Sequence, residues 1–406
     1  MHPLPFALYN TMTEEFRTFV EENINESPVR LRMRMRGDSR AWIPLAVSHI
    51  EALGKGRKKY PSLPDSWIFP SVTAVEQSTP LLTAEYNFSV AAKAVGRQLR
   101  ECRILDMTAG MGMDALGFAD SGADLTLIEL NPIHAQALAV NFERLRNVTV
   151  TEGDSVKWLS EYSGPRFDIV FIDPARRTES GARAYNLHHC TPDLIELSPL
   201  ILERAEVCIA KLSPMLDITQ TLRDLPHCRE LHVVEEGGEC RELLAVISSH
   251  AQSGNCSIIV HKEGLTINYD AGAASPDGIN YAMPRPGMYL LEPSPAIAKG
   301  LPANRICGYG VAMLAPNTHI FVGDAISDPG LGRWSYIEAV LDFAGSRLKR
   351  IGNEIGPAEV VARNLPGMTS DSLRKRLGVM ESSGRRIIGT SLADGSKVLL
   401  LCGKRL

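Results

Sequence analysis

The sequence predicts an α/β chain: a mostly parallel, doubly wound sheet that ends in an antiparallel hairpin, with a helical region before it and small α+β domains after it. Three observations predict this. From about residue 100, short apolar runs alternate with amphipathic segments, the pattern of a parallel sheet covered on both faces. A Gly-Gly pair joins the last two runs of that series, as in a hairpin. The flanking regions lack the alternation.

Residues 1–95 are read as mostly helical. TEEFRTFVEENI places apolar residues near helical period. VRLRMRMR follows, and its strict alternation predicts a strand with Arg30, Arg32, Arg34 and Arg36 on one face and Leu31, Met33 and Met35 on the other. Lys55, Arg57, Lys58 and Lys59 add a second basic group, before breaks at Pro61, Pro64 and Pro70. Residues 96–270 form the α/β domain. RILDMT, DLTLIEL, NVTVTEG, FDIVFID and EVCIAKLS are its buried strands. PIHAQALAVNFERL and TPDLIELSPLILERA are helices between them, and ELHVVEEGGECRELLAVIS is the closing hairpin. DAGAASPDGINYAMPRPG reads as a linker. Beyond it, 280–330 is read as one small α+β unit and 331–406 as another, ending in two strands around Asp394–Gly395.

Composition sets bounds on function. The 44% apolar and 22% charged residues are those of a folded globular chain. A net charge of −4 gives no global field toward nucleic acid, so any such binding uses local patches. The eight cysteines are scattered, without the C-x-x-C or His pairing of a zinc site. No metal is expected. No run reaches the ~20 apolar residues of a membrane span, and the N-terminus carries acids where a signal peptide is apolar. The expected location is the cytoplasm.

Four motifs occur in order at the predicted strand ends, where this class of sheet binds ligands. In ILDMTAGMGMDALGF, Asp106 ends the first strand, and Gly110 and Gly112 let the backbone approach a ligand before a helix that begins near Asp114. In LTLIELNP, Glu129 ends the second strand, where a carboxylate accepts hydrogen bonds from two ribose hydroxyls. Asp154 follows the third strand and is read equally as an adenine contact or as a helix N-cap. Asp173–Pro174 ends the fourth strand. Together these point to S-adenosylmethionine (SAM) rather than a dinucleotide.

Over about residues 75–250 the chain resembles class I SAM-dependent methyltransferases, with their Rossmann-like core. More narrowly, it resembles the bacterial THUMP-like domain methyltransferases. That resemblance rests on LPDSWIFPSVTAVEQSTPLLTAEY, LDMTAGMGMD, DPARR, AKLSPMLDI, EEGGECRELL, YLLEPSPAIAKG, PNTHIFVGD and EVVARNLPGMTSDSLRKRL, spread over nearly the whole chain. It implies a methyltransferase domain, a ferredoxin-like unit at 280–330, a THUMP-like domain at 331–406, and RNA (tRNA or rRNA) as the substrate class. It also implies that Gln77, Ser78 and Thr79 cover the methionine part of SAM, with Tyr86 nearby, and that Thr108 belongs to the same cofactor set.

Amino-group methyltransferases carry an acid or Asn, then Pro-Pro, then an aromatic that stacks on the base. Here the motif is Asp173-Pro174-Ala175-Arg176, without the second proline or the aromatic. Asp173, Pro174 and Arg176 are the expected catalytic residues. Arg177 is a further base- or phosphate-contacting candidate, and Tyr185 and the pair His188 and His189 are read as ordinary loop residues. Asp-Pro-x-Arg also resembles the uracil-C5 RNA methyltransferases, but Cys208 lies inside a strand, where no nucleophile is accessible. Lys211, at the end of that strand, is read either as a substrate or phosphate contact or as a salt-bridged rim residue. A second basic group comprises Arg374, Lys375, Arg376, Arg385 and Arg386. The expected activity is methyl transfer to an RNA base amino nitrogen. The alternatives are a non-catalytic RNA-binding or assembly factor on a SAM fold, or a methyltransferase for a small molecule or protein.

Overall fold

A computed structural model describes residues 6–176, 187–251, 254–273, 278–345 and 347–405. The chain divides into two compact units, residues 1–232 with 241–257, and residues 233–240 with 258–406.

The first unit opens with helices α1 (Phe6–Asn23), α2 (Pro28–Arg34), α3 (Ile43–Lys59), α4 (Val72–Gln77) and α5 (Leu81–Val95). The predicted arginine strand is therefore a helix. Ser27 and Pro28 start it, with Pro at the first helical position, where its missing N–H costs nothing. Leu31 alone of its residues is buried, so no alternating face is satisfied. Arg32 pairs with Glu51 and Arg34 with Glu26. Phe16, Phe19, Leu31, Trp42 and Ile50 form the core of these helices.

The sheet follows with β1 (Arg103–Asp106), α6 (Ala115–Asp120), β2 (Asp124–Glu129), α7 (Pro132–Asn141), β3 (Val148–Glu152), α8 (Ser155–Glu161) and β4 (Phe167–Ile172). Next come the two-residue strands β5 (Ala175–Arg176) and β6 (Cys190–Thr191), then α9 (Leu194–Arg204), β7 (Ala205–Leu212) and α10 (Ile218–Asp224). The hairpin β8 (Cys228–Glu236) and β9 (Glu239–Ser248) ends the series. The strand order in this unit is β8-β9-β7-β4-β1-β2-β3. The four pairings among β7, β4, β1, β2 and β3 are parallel, and β9 runs antiparallel to β7. This is the Rossmann-like class I arrangement expected from the sequence. Ile104, Leu125, Leu127, Ile169, Phe171 and Ile209 are buried along the sheet. The order places the carboxyl ends of β1, β2 and β4 side by side, with the strand order reversing at β1.

The second unit holds β10 (Ser257–Lys262) and β11 (Leu265–Asp270), then β12 (Tyr289–Pro293), α11 (Pro295–Gly300), α12 (Ala303–Cys307), β13 (Ala312–Met313) and β14 (Phe321–Gly323). It continues with β15 (Gly332–Asp342), α13 (Leu348–Ile355), β16 (Glu359–Arg363), α14 (Ser370–Leu377), β17 (Arg386–Ser391) and β18 (Lys397–Arg405). One sheet of order β13-β14-β12-β15-β18-β17-β16 takes in strands from both 280–330 and 331–406. The only parallel pair in it, β16 with β17, is joined through α14. Among the described residues no helix is long and apolar enough to cross a membrane.

Helices α13 and α14 meet at Gly352, where an added Cβ would lie 2.0 Å from the backbone oxygen of Leu377. Backbone cannot swing aside as a side chain does. Gly352→Ala is expected to destabilise the chain by about 3 kcal/mol, read from the urea midpoint.

Candidate active site

Two adjoining cavities lie at the carboxyl ends of β1, β2 and β4. The smaller, about 210 Å3, is lined by Gln77, Ser78, Thr79, Asp106, Gly110 and His134 among others. The larger, about 800 Å3, is lined by Glu129, Leu130, Asp154, Val156, Leu197 and Leu200 among others. Thr108 and Asp173 line both.

Asp106 is 1% exposed, and its Oδ1 accepts the Thr108 N–H at 2.9 Å. Burial pushes its pKa up to about 8, helped by Asp114 and Asp173 and opposed by the Thr108 hydrogen bond and Lys211. Thr108 also accepts the Asp173 N–H on its hydroxyl at 2.7 Å, so the end of β1 fixes the residue after β4. Glu129 accepts the Gly110 N–H on one oxygen and the Asn131 N–H on the other, both at 2.8 Å. That holds the carboxylate in one plane at the edge of the larger cavity. Of the two readings of Asp154, the helix N-cap is observed. Asp154 caps α8 by accepting the Val156 and Lys157 N–H groups on Oδ1, and it lines the larger cavity.

Beneath both cavities lies Lys211, 6% exposed at the end of β7. Its ammonium donates to Thr79 Oγ1 at 2.6 Å, Asp173 Oδ2 at 2.7 Å and Asp114 Oδ2 at 3.0 Å, and lies 3.9 Å from Glu242. Burial opposes its charge, but Asp114, Asp173 and Glu242 outweigh burial and raise its pKa well above the usual lysine range. Asp114 also accepts from the Thr79 hydroxyl at 2.5 Å and from Asn87 at 3.0 Å. Glu242 is buried, and burial lifts it to about 8 against the pull of Lys211. Of the sequence reading of Lys211 as a salt-bridged rim residue, the salt bridges hold and the rim position does not. Lys211 is the buried centre of an ionic cluster whose acids come from segments distant in sequence.

Other expected residues divide plainly. Gly110 has φ 56°, and a Cβ there would meet the Thr108 carbonyl oxygen at 3.8 Å, an ordinary contact, so its backbone is available to a ligand. Gly112, with φ 84°, lines neither cavity. A Cβ there would come within 2.8 Å of Leu138 and 2.7 Å of Phe142, so helix packing requires this glycine. Thr79 and Asp114 spend their polar atoms on the Lys211 cluster, leaving Gln77 as an exposed side chain at the smaller cavity. Tyr86 is outside both cavities; its hydroxyl pairs with His232 Nδ1 at 2.7 Å. Pro174 is buried beside Asp173. Arg177, Tyr185 and the side chains of Arg176 and His189 fall outside the described residues. His188 is exposed, 3.5 Å from Asp193. Cys208 is buried and its thiol is pushed up to about 12, consistent with its reading as a core residue.

Sequence reasoning missed the far wall of the larger cavity. The β5–β6 ladder brings Thr191, Pro192 and Asp193 next to the Asp173 motif, and α9 adds Leu197 and Leu200. Leu130, 70% exposed, lies against the same space. The sequence placed a helix over TPDLIELSPLILERA, which Asp193-x-x-Glu196 opens, but not its contact with the cavity.

The geometry suits SAM. A buried carboxylate at the smaller cavity faces where a cationic amine would sit, and the acids around Lys211 outnumber it. Glu129 has lone pairs left for a ribose diol. Leu130, Val156 and Leu197 offer apolar surface to a purine.

Comparison with known proteins agrees with this class. Residues 83–180 match the family model described as "Putative SAM-dependent methyltransferase". The chain is 36% identical over 108 residues to the ribosomal RNA small subunit methyltransferase J of Alkalilimnicola ehrlichii, covering 24% of this chain and 41% of that protein. It is 33% identical over 97 residues to the protein of the same name from Marinobacter nauticus, covering 21% and 35%. The chain thus spans less than half the length of these relatives. A solved structure described as "putative methyltransferase from Porphyromonas gingivalis W83" superposes over 97% of this chain and 98% of its own, with TM-score 0.82 and 28% identity.

Lys211→Met would leave Asp114, Asp173 and Glu242 without their buried cation, at an expected cost of about 3 kcal/mol by urea denaturation. Asp106 and Glu242 also give a pH signature. Folded, they keep protons up to about pH 8, whereas the unfolded chain loses them from about pH 4. Their contribution is full at low pH and lost as pH rises through about 8. Between about pH 6 and about pH 9 the urea midpoint should fall, and fall less in Asp106→Asn with Glu242→Gln.

Proposed function

We propose that the chain is a SAM-dependent methyltransferase acting on RNA, with a base amino nitrogen as acceptor. The observation that carries this reading is the position of Asp173. Its backbone is tied to Thr108, its Oδ2 is tied to Lys211, and it stands where the two cavities meet. Oδ1 has no protein partner among the described residues. An amino group entering the larger cavity donates one N–H to Oδ1 and the other to the Pro174 carbonyl. Its nitrogen lone pair is then turned toward the smaller cavity. Alignment of that kind is the main catalytic contribution the protein has to make, because SAM supplies an already activated methyl group. In this reading Asp106 and Gln77 hold the methionine part of the cofactor, Gly110 passes it closely, Glu129 holds the ribose and Asp154 with Leu130 the adenine.

RNA is supported by the names of the curated relatives and by exposed cations. Arg30, Arg32 and Arg36 are exposed on and beyond α2, and Lys375, Arg376 and Arg385 are exposed in the second unit. Three cations of the basic groups in the sequence do other work. Lys59 donates to the carbonyls of Val75 and Ser78, closing the end of α4, and Arg57 to those of Leu63 and Pro64. Arg386 is 2% exposed and paired with Glu292 and Glu359. We assign residues 331–406 a THUMP-like, RNA-contacting role on the sequence resemblance, with 280–330 as its ferredoxin-like neighbour and 1–95 as a helical cover, in a protein of the cytoplasm.

Asp173→Ala should abolish methyl transfer while SAM binding by calorimetry stays within about threefold of wild type. Full retained activity would remove Asp173 from the mechanism. Mass spectrometry of RNA nucleosides from cells with and without the protein tests the substrate: one methylated base should disappear, and an unchanged profile rejects RNA as acceptor.

A further inference from the structure

We propose that the N-terminal helices form a second ligand site, for a neutral, mainly apolar small molecule carrying one hydrogen-bond acceptor. A cavity of about 420 Å3 opens between α1, α3, the segment around Ile68 and α7. It shares no lining residue with the two cavities at the strand ends. Phe16, Val20, Leu45, Leu53, Ile68 and Val140 make its walls. Small-molecule sites have this size and this apolar lining, with a few polar groups that fix orientation.

The orienting group here is His49. It lines the cavity and is 6% exposed. Its Nδ1 accepts the Phe69 N–H at 2.9 Å, which places the ring proton on Nε2. Nε2 has no hydrogen-bond partner among the described residues. Burial holds the imidazole down to about 4, with the Phe69 hydrogen bond opposing and Arg57 adding to the shift, so the ring is a neutral donor at physiological pH. Nε2 is not sealed in the core, and His49 lines the cavity; a ligand carbonyl or ether oxygen accepts its N–H.

Charge at the site argues for a neutral ligand. The ionisable groups facing the cavity besides His49 are Arg17 and Glu21 from α1, Arg57 from α3 and Asp65. Arg57 pairs with Asp65 at 3.5 Å, and Arg17 lies one helical turn from Glu21 on α1. Arg57 is further spent on the carbonyls of Leu63, Pro64 and Asp65. The lining thus carries two cations and two acids, with no net charge to select an anion or a cation.

Benzophenone and diphenylmethane test the assignment, since they share a shape and differ in the acceptor. With the full chain, benzophenone should bind saturably at one site and about fivefold or more tighter than diphenylmethane by ligand-detected NMR. Near-ultraviolet irradiation should then label peptides carrying Val20, Leu45 or Ile68. Val20→Trp, which fills the cavity, should abolish both signals with its circular-dichroism melt retained. Equal affinity for the two probes, or label scattered over other peptides, overturns the proposal. Those two readings use the wild-type chain and decide the matter even if Val20→Trp does not fold.

Discussion

The ammonium of Lys211 is the contact on which the site depends. It touches the loop before α5 through Thr79, the start of α6 through Asp114 and the end of β4 through Asp173, with Glu242 of β9 close by. Water is excluded there, so each of these attractions is far stronger than at a surface, and so is the cost of taking one away. One cation therefore helps set the mutual positions of segments distant in sequence, together with the Thr79–Asp114 and Asn87–Asp114 hydrogen bonds. The hydroxyl of Thr108 finishes the arrangement from above by taking the Asp173 N–H.

The second unit uses the same device for structure alone. Arg386, the first residue of β17, is buried between Glu292 of β12 and Glu359 of β16. Here the cation pins strands. The contrast is instructive: a buried ion pair by itself fixes geometry, and only the acids left facing open space, such as Asp173, have capacity to spare for a ligand.

Much of this was legible in the sequence because burial on both faces of a parallel sheet leaves continuous apolar runs. RILD, DLTLIE, VTVTE, FDIVFI and AEVCIAKL each became a strand within a residue or two of its reading. The acids Asp106, Glu129, Asp154 and Asp173 were found from their places after those runs. What escaped detection depended on long-range partners. Lys211 ends an apolar strand, and nothing local tells that its counter-charges come from residues 114, 173 and 242. Arg386 follows Arg385 in a basic pair, yet one is exposed and the other buried, since its acids lie far along the chain. VRLRMRMR failed differently: its two-residue period is too short to outweigh the Ser27–Pro28 helix start.

The imbalance of charge around Lys211 has a consequence for turnover. Asp114 and Asp173 flank a single buried cation, with Asp106 and Glu242 nearby holding protons up to about pH 8, and such a floor attracts a positive group more than a neutral one of the same shape. In the proposed reaction the sulfonium charge leaves with the methyl. The cavity then holds a spent ligand that has lost part of its attraction to the floor. Fresh and used forms are told apart by charge, and the exchange of one for the other needs no moving part.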